Sequence, residues 1–158
     1  MISLIAAVAK DNVIGKAGKL PWNLPEDLKH FRDLTIGKTV LMGKTTWESL
    51  PEKLRPLPGR KNVVVALEAD YQVPAGVELF HDLGAALASH ADEKVMVMGG
   101  ASIYRQTIGL ADTLYITHLD LTVEGGDAFF PAIDPSVWRE VSREEGEGMA
   151  WVTYKRRV

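Results

Sequence analysis

Apolar residues in this chain gather into short, mostly apolar stretches, at 2–9, 39–42, 61–67 and 95–98, each stopped by glycine or by polar residues. Runs of that length, rich in Val, Ile, Leu and Met, predict strands buried on both faces. Further strands are expected around 77–80 and over 113–119. Trp138 to Ser142 and Met149 to Val158 predict a closing antiparallel hairpin through Gly146-Glu147-Gly148. Helical spacing predicts a helix over 25–35, opened by Pro25 and ended by Gly37, since proline suits a first helical turn. Shorter helices are expected at 46–50, after an Asp82 cap with Leu83, Ala86, Leu87 and Ala91 apolar, and at 102–108. Strands alternating with helices imply one three-layer α/β/α domain. Its central sheet would have about eight strands, mostly parallel, with the antiparallel hairpin at the C-terminal end. In such sheets ligands bind at the carboxyl ends of the strands.

One polar residue interrupts the helix pattern. At about 100° per residue, Leu24, Asp27, Leu28, Phe31 and Leu34 share one arc, with Glu26, Lys29, His30 and Asp33 on the other side. An acid that merely favoured the helix N-terminus would belong on the polar face beside Glu26. A charge left unpaired in the apolar arc would cost on the order of several kcal/mol, so a polar partner must meet Asp27. A desolvated carboxylate suits proton transfer near neutral pH. It also matches a flat group offering two parallel N–H donors.

Two strand-to-helix junctions carry glycine. Gly43-Lys44-Thr45-Thr46 converges backbone N–H groups and a lysine where an anion would sit, yet a Walker loop needs glycine at 38, which is Lys38. Gly99-Gly100-Ala101-Ser102 repeats the arrangement, and GxGxxG is absent. Two such junctions in one small sheet favour a dinucleotide more than either alone. The fifteen residues at 10–24 form a connection long enough for a lid. Trp22 has an indole N–H that wants a partner. Thr117 is either β-branched packing or a hydroxyl facing the carboxylate. Arg60, straight after Pro-Leu-Pro-Gly, is either a surface residue or a fork for a carboxylate at the rim of a cleft.

Composition narrows the function classes. At 158 residues and 46% hydrophobic the chain suffices for one core. A net charge of −3, with no basic run beyond Lys155-Arg156-Arg157, gives no footprint for nucleic acid. The absence of cysteine excludes disulfides, thiolate catalysis and cysteine-ligated metals. Four scattered histidines point to no metal site. The N-terminal apolar run lacks a basic lead-in and falls short of the ~20 residues of a membrane span, so no membrane association is expected. A cytoplasmic location and a monomer are the default expectations.

Over essentially its whole length the chain resembles dihydrofolate reductase of the bacterial chromosomal type. The matching stretches are Ile14-Gly15, Leu20 to Leu28 with Phe31, Met42 to Leu50, Pro56 to Asn62, Met98-Gly99-Gly100 with Tyr104, Tyr115 to His118, and Val123-Glu124-Gly125 with Asp127. The resemblance implies reduction of 7,8-dihydrofolate to tetrahydrofolate by NADPH, with antifolates as ligands and an adenosine-binding subdomain at roughly 38–108. It implies that Asp27 grips the 2-amino and N3 edge of the pterin, with Thr117 behind it, Trp22 holding an ordered water, and the proton for N5 entering beside Leu20. Ile5, Ala7, Leu28, Phe31, Leu50, Leu57, Met98 and Tyr104 would surround the substrate, and Arg60 would clamp its glutamate. Ala7, Ile14, Gly15, Leu20, Gly43, Lys44, Thr45, Thr46, Met98, Gly99, Gly100, Ala101, Ser102, Ile103 and Tyr104 would hold the cofactor. Family members often carry hydroxyls where this chain has Ala66-Leu67, and a basic residue where it has Ser102. Lys44 is then the main cation for a 2′-phosphate. The loop before Asp127 carries a second glycine, Gly126, and the hairpin at 143–149 is short. A same-fold reductase of riboflavin synthesis and a non-catalytic pterin or nucleotide binding protein are the alternative readings. Asp27 with Trp22, and Arg60, argue against the first.

Overall fold

The computed structural model describes residues 1–17 and 24–158. Its elements run β1 (Ile2–Val8), β2 (Val13–Gly15), α1 (Pro25–Thr35), β3 (Thr39–Gly43), α2 (Lys44–Ser49), β4 (Lys61–Val65), β5 (Glu78–Phe80), α3 (Leu83–Ser89), β6 (Val95–Val97), α4 (Ala101–Thr107), β7 (Thr113–Leu119), β8 (Ala128–Phe129), β9 (Trp138–Gly146) and β10 (Met149–Arg156). Eight strands form one sheet in the order β5-β4-β3-β6-β1-β7-β10-β9. All pairings from β5 to β7 are parallel, while β10 is antiparallel to both β7 and β9.

The continuous apolar runs are explained by burial on both faces. Leu4, Ala6, Leu41, Val63, Val65, Val95 and Val97 pack on one face with Ala86 of α3 and Ile103 and Tyr104 of α4. Their strand neighbours Ile5, Val40, Met42, Val64 and Met96 pack on the other, with Trp47 of α2 and Phe31 and Leu34 of α1. Period-2 alternation is invisible in the sequence because both sets are hydrophobic. Asp82 caps α3 as expected, its carboxylate accepting from the Ala85 N–H at 2.9 Å.

Two expectations change in detail. The connection at 10–24 is not wholly irregular: β2 pairs with β8 in a separate two-stranded sheet, entered by a turn in which Asp11 and Asn12 have φ of 60° and 63°. Strands of two and three residues are too short to show a period. β9 runs past Ser142 to Gly146, and Met149 faces Gly146 across the pair, leaving a two-residue turn. Its sequence WREVSREEG hides the strand because an edge strand is kept polar. The hairpin is therefore tight at its tip and long in its arms.

Candidate active site

A cleft of about 770 Å³ opens beyond the carboxyl ends of β1, β3, β4 and β6. One wall comes from α1, through Leu24, Asp27, Leu28, His30 and Phe31; the floor includes Ile5, Ala7 and Thr117; the far end is built from 43–46, 65–68 and 98–105. The apolar stripe of α1 thus faces the cleft as much as the core, which is why Leu28 remains 54% exposed while Phe31 and Leu34 pack against the sheet.

Asp27 meets the partner that its position demands. The Thr117 hydroxyl donates to Asp27 Oδ1 at 2.6 Å, from a residue only 3% exposed. The indole Nε1–H of Trp151 donates to the same oxygen at 3.2 Å. Trp151 escaped the sequence reading. Its signal was a tryptophan in the closing hairpin, but what brings it to Asp27 is register: Trp151 of β10 stands directly opposite Thr117 of β7, so both side chains leave the same face. Both donors are neutral. Among the described residues no lysine, arginine or histidine forms an ion pair with Asp27, and no donor reaches Oδ2.

His30 stacks at 5.4 Å on the Trp151 ring. Burial pushes its imidazole below the ordinary value against the pull of Asp27, Glu144 and Asp33, which favours the neutral ring. The carboxylate therefore lines the cleft as an acceptor that no cation among the described residues pairs. Such an acceptor suits a ligand with two parallel N–H donors.

At the far end, neither Gly43 before α2 nor Gly100 before α4 offers a side-chain cap, so the backbone N–H groups of the first turns are open to an anion. The two junctions are tied by the Gly43 N–H donating to the Gly99 carbonyl at 2.9 Å. A Cβ on Gly99 would lie 3.2 Å from Thr46 Oγ1 and 3.3 Å from the Tyr104 ring. Tyr104 donates its hydroxyl to the Ile5 carbonyl at 2.6 Å, and burial pushes its phenol up, so it stays a donor. These parts fit a dinucleotide: close backbone approach, free amides, and a lysine at the edge.

The cleft brings together most of the expected residues. Ile5, Ala7, Ile14, Gly15, Asp27, Leu28, Phe31, Gly43 to Thr46, Leu50, Met98 to Tyr104 and Thr117 all line it. Leu57 and Arg60 do not. Leu57 is buried in the core cluster beneath Phe31 and Leu50. Arg60 sits by the end of α1, donating from Nε to the Pro58 carbonyl at 2.9 Å and from Nη1 to Thr35 Oγ1 at 3.1 Å. Leu20 and Trp22 lie outside the described residues. Besides Trp151, the sequence reading missed Ser49, Glu68 and Arg105 on the walls, and His30, placed on the polar side of α1, lines the cleft as well.

The family model for dihydrofolate reductase matches residues 1–156. The dihydrofolate reductase of Neisseria meningitidis serogroup A is 50% identical over 162 residues, covering 98% of each chain. That of Mycobacterium tuberculosis is 43% identical over 141 residues, or 88% of this chain and 84% of the other. Among solved structures, dihydrofolate reductase from Enterococcus faecalis, complexed with NADP(H) and RAB-propyl, matches with a TM-score of 0.88 at 38% identity, covering 100% of this chain and 97% of that one. By these matches, which span most or all of its length and rest on sequence and fold alike, the chain belongs to the dihydrofolate reductase family.

Proposed function

We infer that the chain reduces 7,8-dihydrofolate to 5,6,7,8-tetrahydrofolate with NADPH, by hydride transfer to C6 and protonation at N5. The observation that carries this reading is Asp27: it lines the cleft with one oxygen held by Thr117 and Trp151, and no cation among the described residues pairs with it. The carboxylate edge accepts from the 2-amino group and N3 of the pterin, and the two donors on Oδ1 fix the angle at which it does so. NADPH, when bound, supplies the hydride. Ile5, Leu28, Phe31 and Leu50 exclude water from the reacting rings, and the Gly43 and Gly99-Gly100 junctions hold the phosphates, within an adenosine-binding segment at roughly 38–108. Leu20 and Trp22 keep the roles that the resemblance implies, in proton entry and water binding.

Arg60 is the proposed clamp for the glutamate α-carboxylate. Burial and the neighbouring Arg32 hold its guanidinium below the ordinary value, so a desolvated cation beside a like charge gains from an incoming anion. Leu57 then supports Phe31 and Leu50 from behind. Antifolates with an amidine-like edge bind the same cleft through Asp27. A monomeric state and a cytoplasmic location go with this reading. No helix among the described residues is long and apolar enough to cross a membrane.

Loss of NADPH absorbance in the presence of dihydrofolate tests the reading. No turnover at any substrate concentration overturns it, and tight antifolate binding without turnover would mark a binding protein instead. Trp151→Phe, which keeps the ring and removes the N–H, should lower kcat/KM for dihydrofolate about fivefold, the effect of one hydrogen bond of about 1 kcal/mol, with the melting temperature nearly unchanged. An unaltered kcat/KM would show that the indole only packs.

A further inference from the structure

The lysine at the cofactor end is not a free cation. Lys44 Nζ lies 3.5 Å from Glu68 Oε2 and 5.2 Å from the centroid of the Tyr71 ring. The Tyr71 hydroxyl donates to Glu48 Oε2 at 2.8 Å, so a second carboxylate stands beyond the ring. Lys44 and Glu68 both line the cleft, with Ala66, Leu67 and Ser102 supplying no charge between them. Parallel pairing of β3 with β4 sets Gly43 opposite Val65, and this register brings the residues just past the two strand ends together.

We propose that Glu68 sets the cofactor preference of this enzyme by competing with the 2′-phosphate of NADPH for Lys44; the proposal rests on the reductase reading above and on Lys44 as the phosphate contact. A 2′-phosphate reaching Lys44 displaces the carboxylate or shares the ammonium with it, and in either case two anions crowd one cation. NADH presents a 2′-hydroxyl instead, which donates to a carboxylate at no such cost. In Rossmann-type sites it is an acidic residue hydrogen-bonded to the ribose 2′-hydroxyl that favours the unphosphorylated cofactor, and Glu68 would bring the same chemistry here. The side chains of Lys44 and Glu68 remain 37% and 49% exposed, so the pair is weak and an incoming ligand can open it. Glu68 therefore weakens discrimination between the two cofactors without abolishing NADPH use.

Binding of 2′,5′-ADP and of 5′-AMP, measured by calorimetry on the whole protein, isolates the phosphate from turnover. Glu68→Gln should tighten 2′,5′-ADP about three- to fivefold, the range of one exposed charge contact, and leave 5′-AMP unchanged or weaker. Lys44→Ala should weaken 2′,5′-ADP and erase the gain when combined with Glu68→Gln. In the assay, the ratio of kcat/KM for NADPH to that for NADH should rise in Glu68→Gln by the same factor. An equal change for both ligands, no change for either, or a gain that survives Lys44→Ala overturns the proposal. A parent protein that fails to reduce dihydrofolate defeats the reductase reading instead, while the nucleotide contrast still reports on Glu68.

Discussion

Asp27→Asn should leave the fold intact and lower kcat/KM for dihydrofolate at neutral pH about a hundredfold or more. The amide keeps a carbonyl oxygen where Oδ1 now accepts from Thr117 and Trp151, so the local hydrogen bonds that seat the side chain survive. The atom in the place of Oδ2 becomes an NH₂ group. It faces the pterin edge with donors against donors and carries no charge. Losing two hydrogen bonds to a charged acceptor, at about 1.5 kcal/mol or more each, corresponds to about two orders of magnitude. Removing an uncompensated charge from a half-buried site should hold the melting temperature steady or raise it. Steady-state rates and a thermal melt on the same sample decide the matter. Activity close to that of the parent removes Asp27 from the reaction, and an activity loss matched by a collapsed melt makes it a structural residue.

How far the site could be read in advance depends on the distance over which each signal acts. The isolation of Asp27 needed only one helical rotation, and Gly43 and Gly99 only their places after apolar runs. The buried parallel strands announced themselves because both faces are apolar. The partner of Asp27 was harder. Thr117 was one of two readings for a mid-strand threonine, and Trp151 went unnoticed because its role depends on the β7–β10 register, which no local pattern encodes. Glu68 looks like an ordinary loop acid until the β3–β4 pairing sets it beside Lys44. The helix opened by Gly43 starts at Lys44 rather than 46, since threonines and a lysine carry little apolar signal in a first turn. Short elements such as β2 and β8 lie below the length at which a period exists.

Gly99→Ala carries the second large expected effect, and its causes can be separated. Gly99 has φ of +115°, a backbone region in which an L side chain is strained by about 1–3 kcal/mol. A Cβ there also lies 3.2 Å from Thr46 Oγ1 and 3.3 Å from both Cε2 and Oη of Tyr104. Tyr104 cannot yield: it is buried, bonded to the Ile5 carbonyl, and packed at 4.8 Å against Phe130. The substitution should cost about 2–3 kcal/mol, lowering the melting temperature by about 5–10 °C in a chain of this size. NADPH affinity should fall with it, because the junction that shifts is the one that meets the phosphates. Gly76→Ala is the control, with φ of +88° and open space within 4 Å of the added carbon, so it reports the backbone strain alone. If Gly99→Ala destabilises no more than Gly76→Ala, the contacts with Thr46 and Tyr104 are soft. The close packing of this turn would then not be what presents its amides to the cofactor.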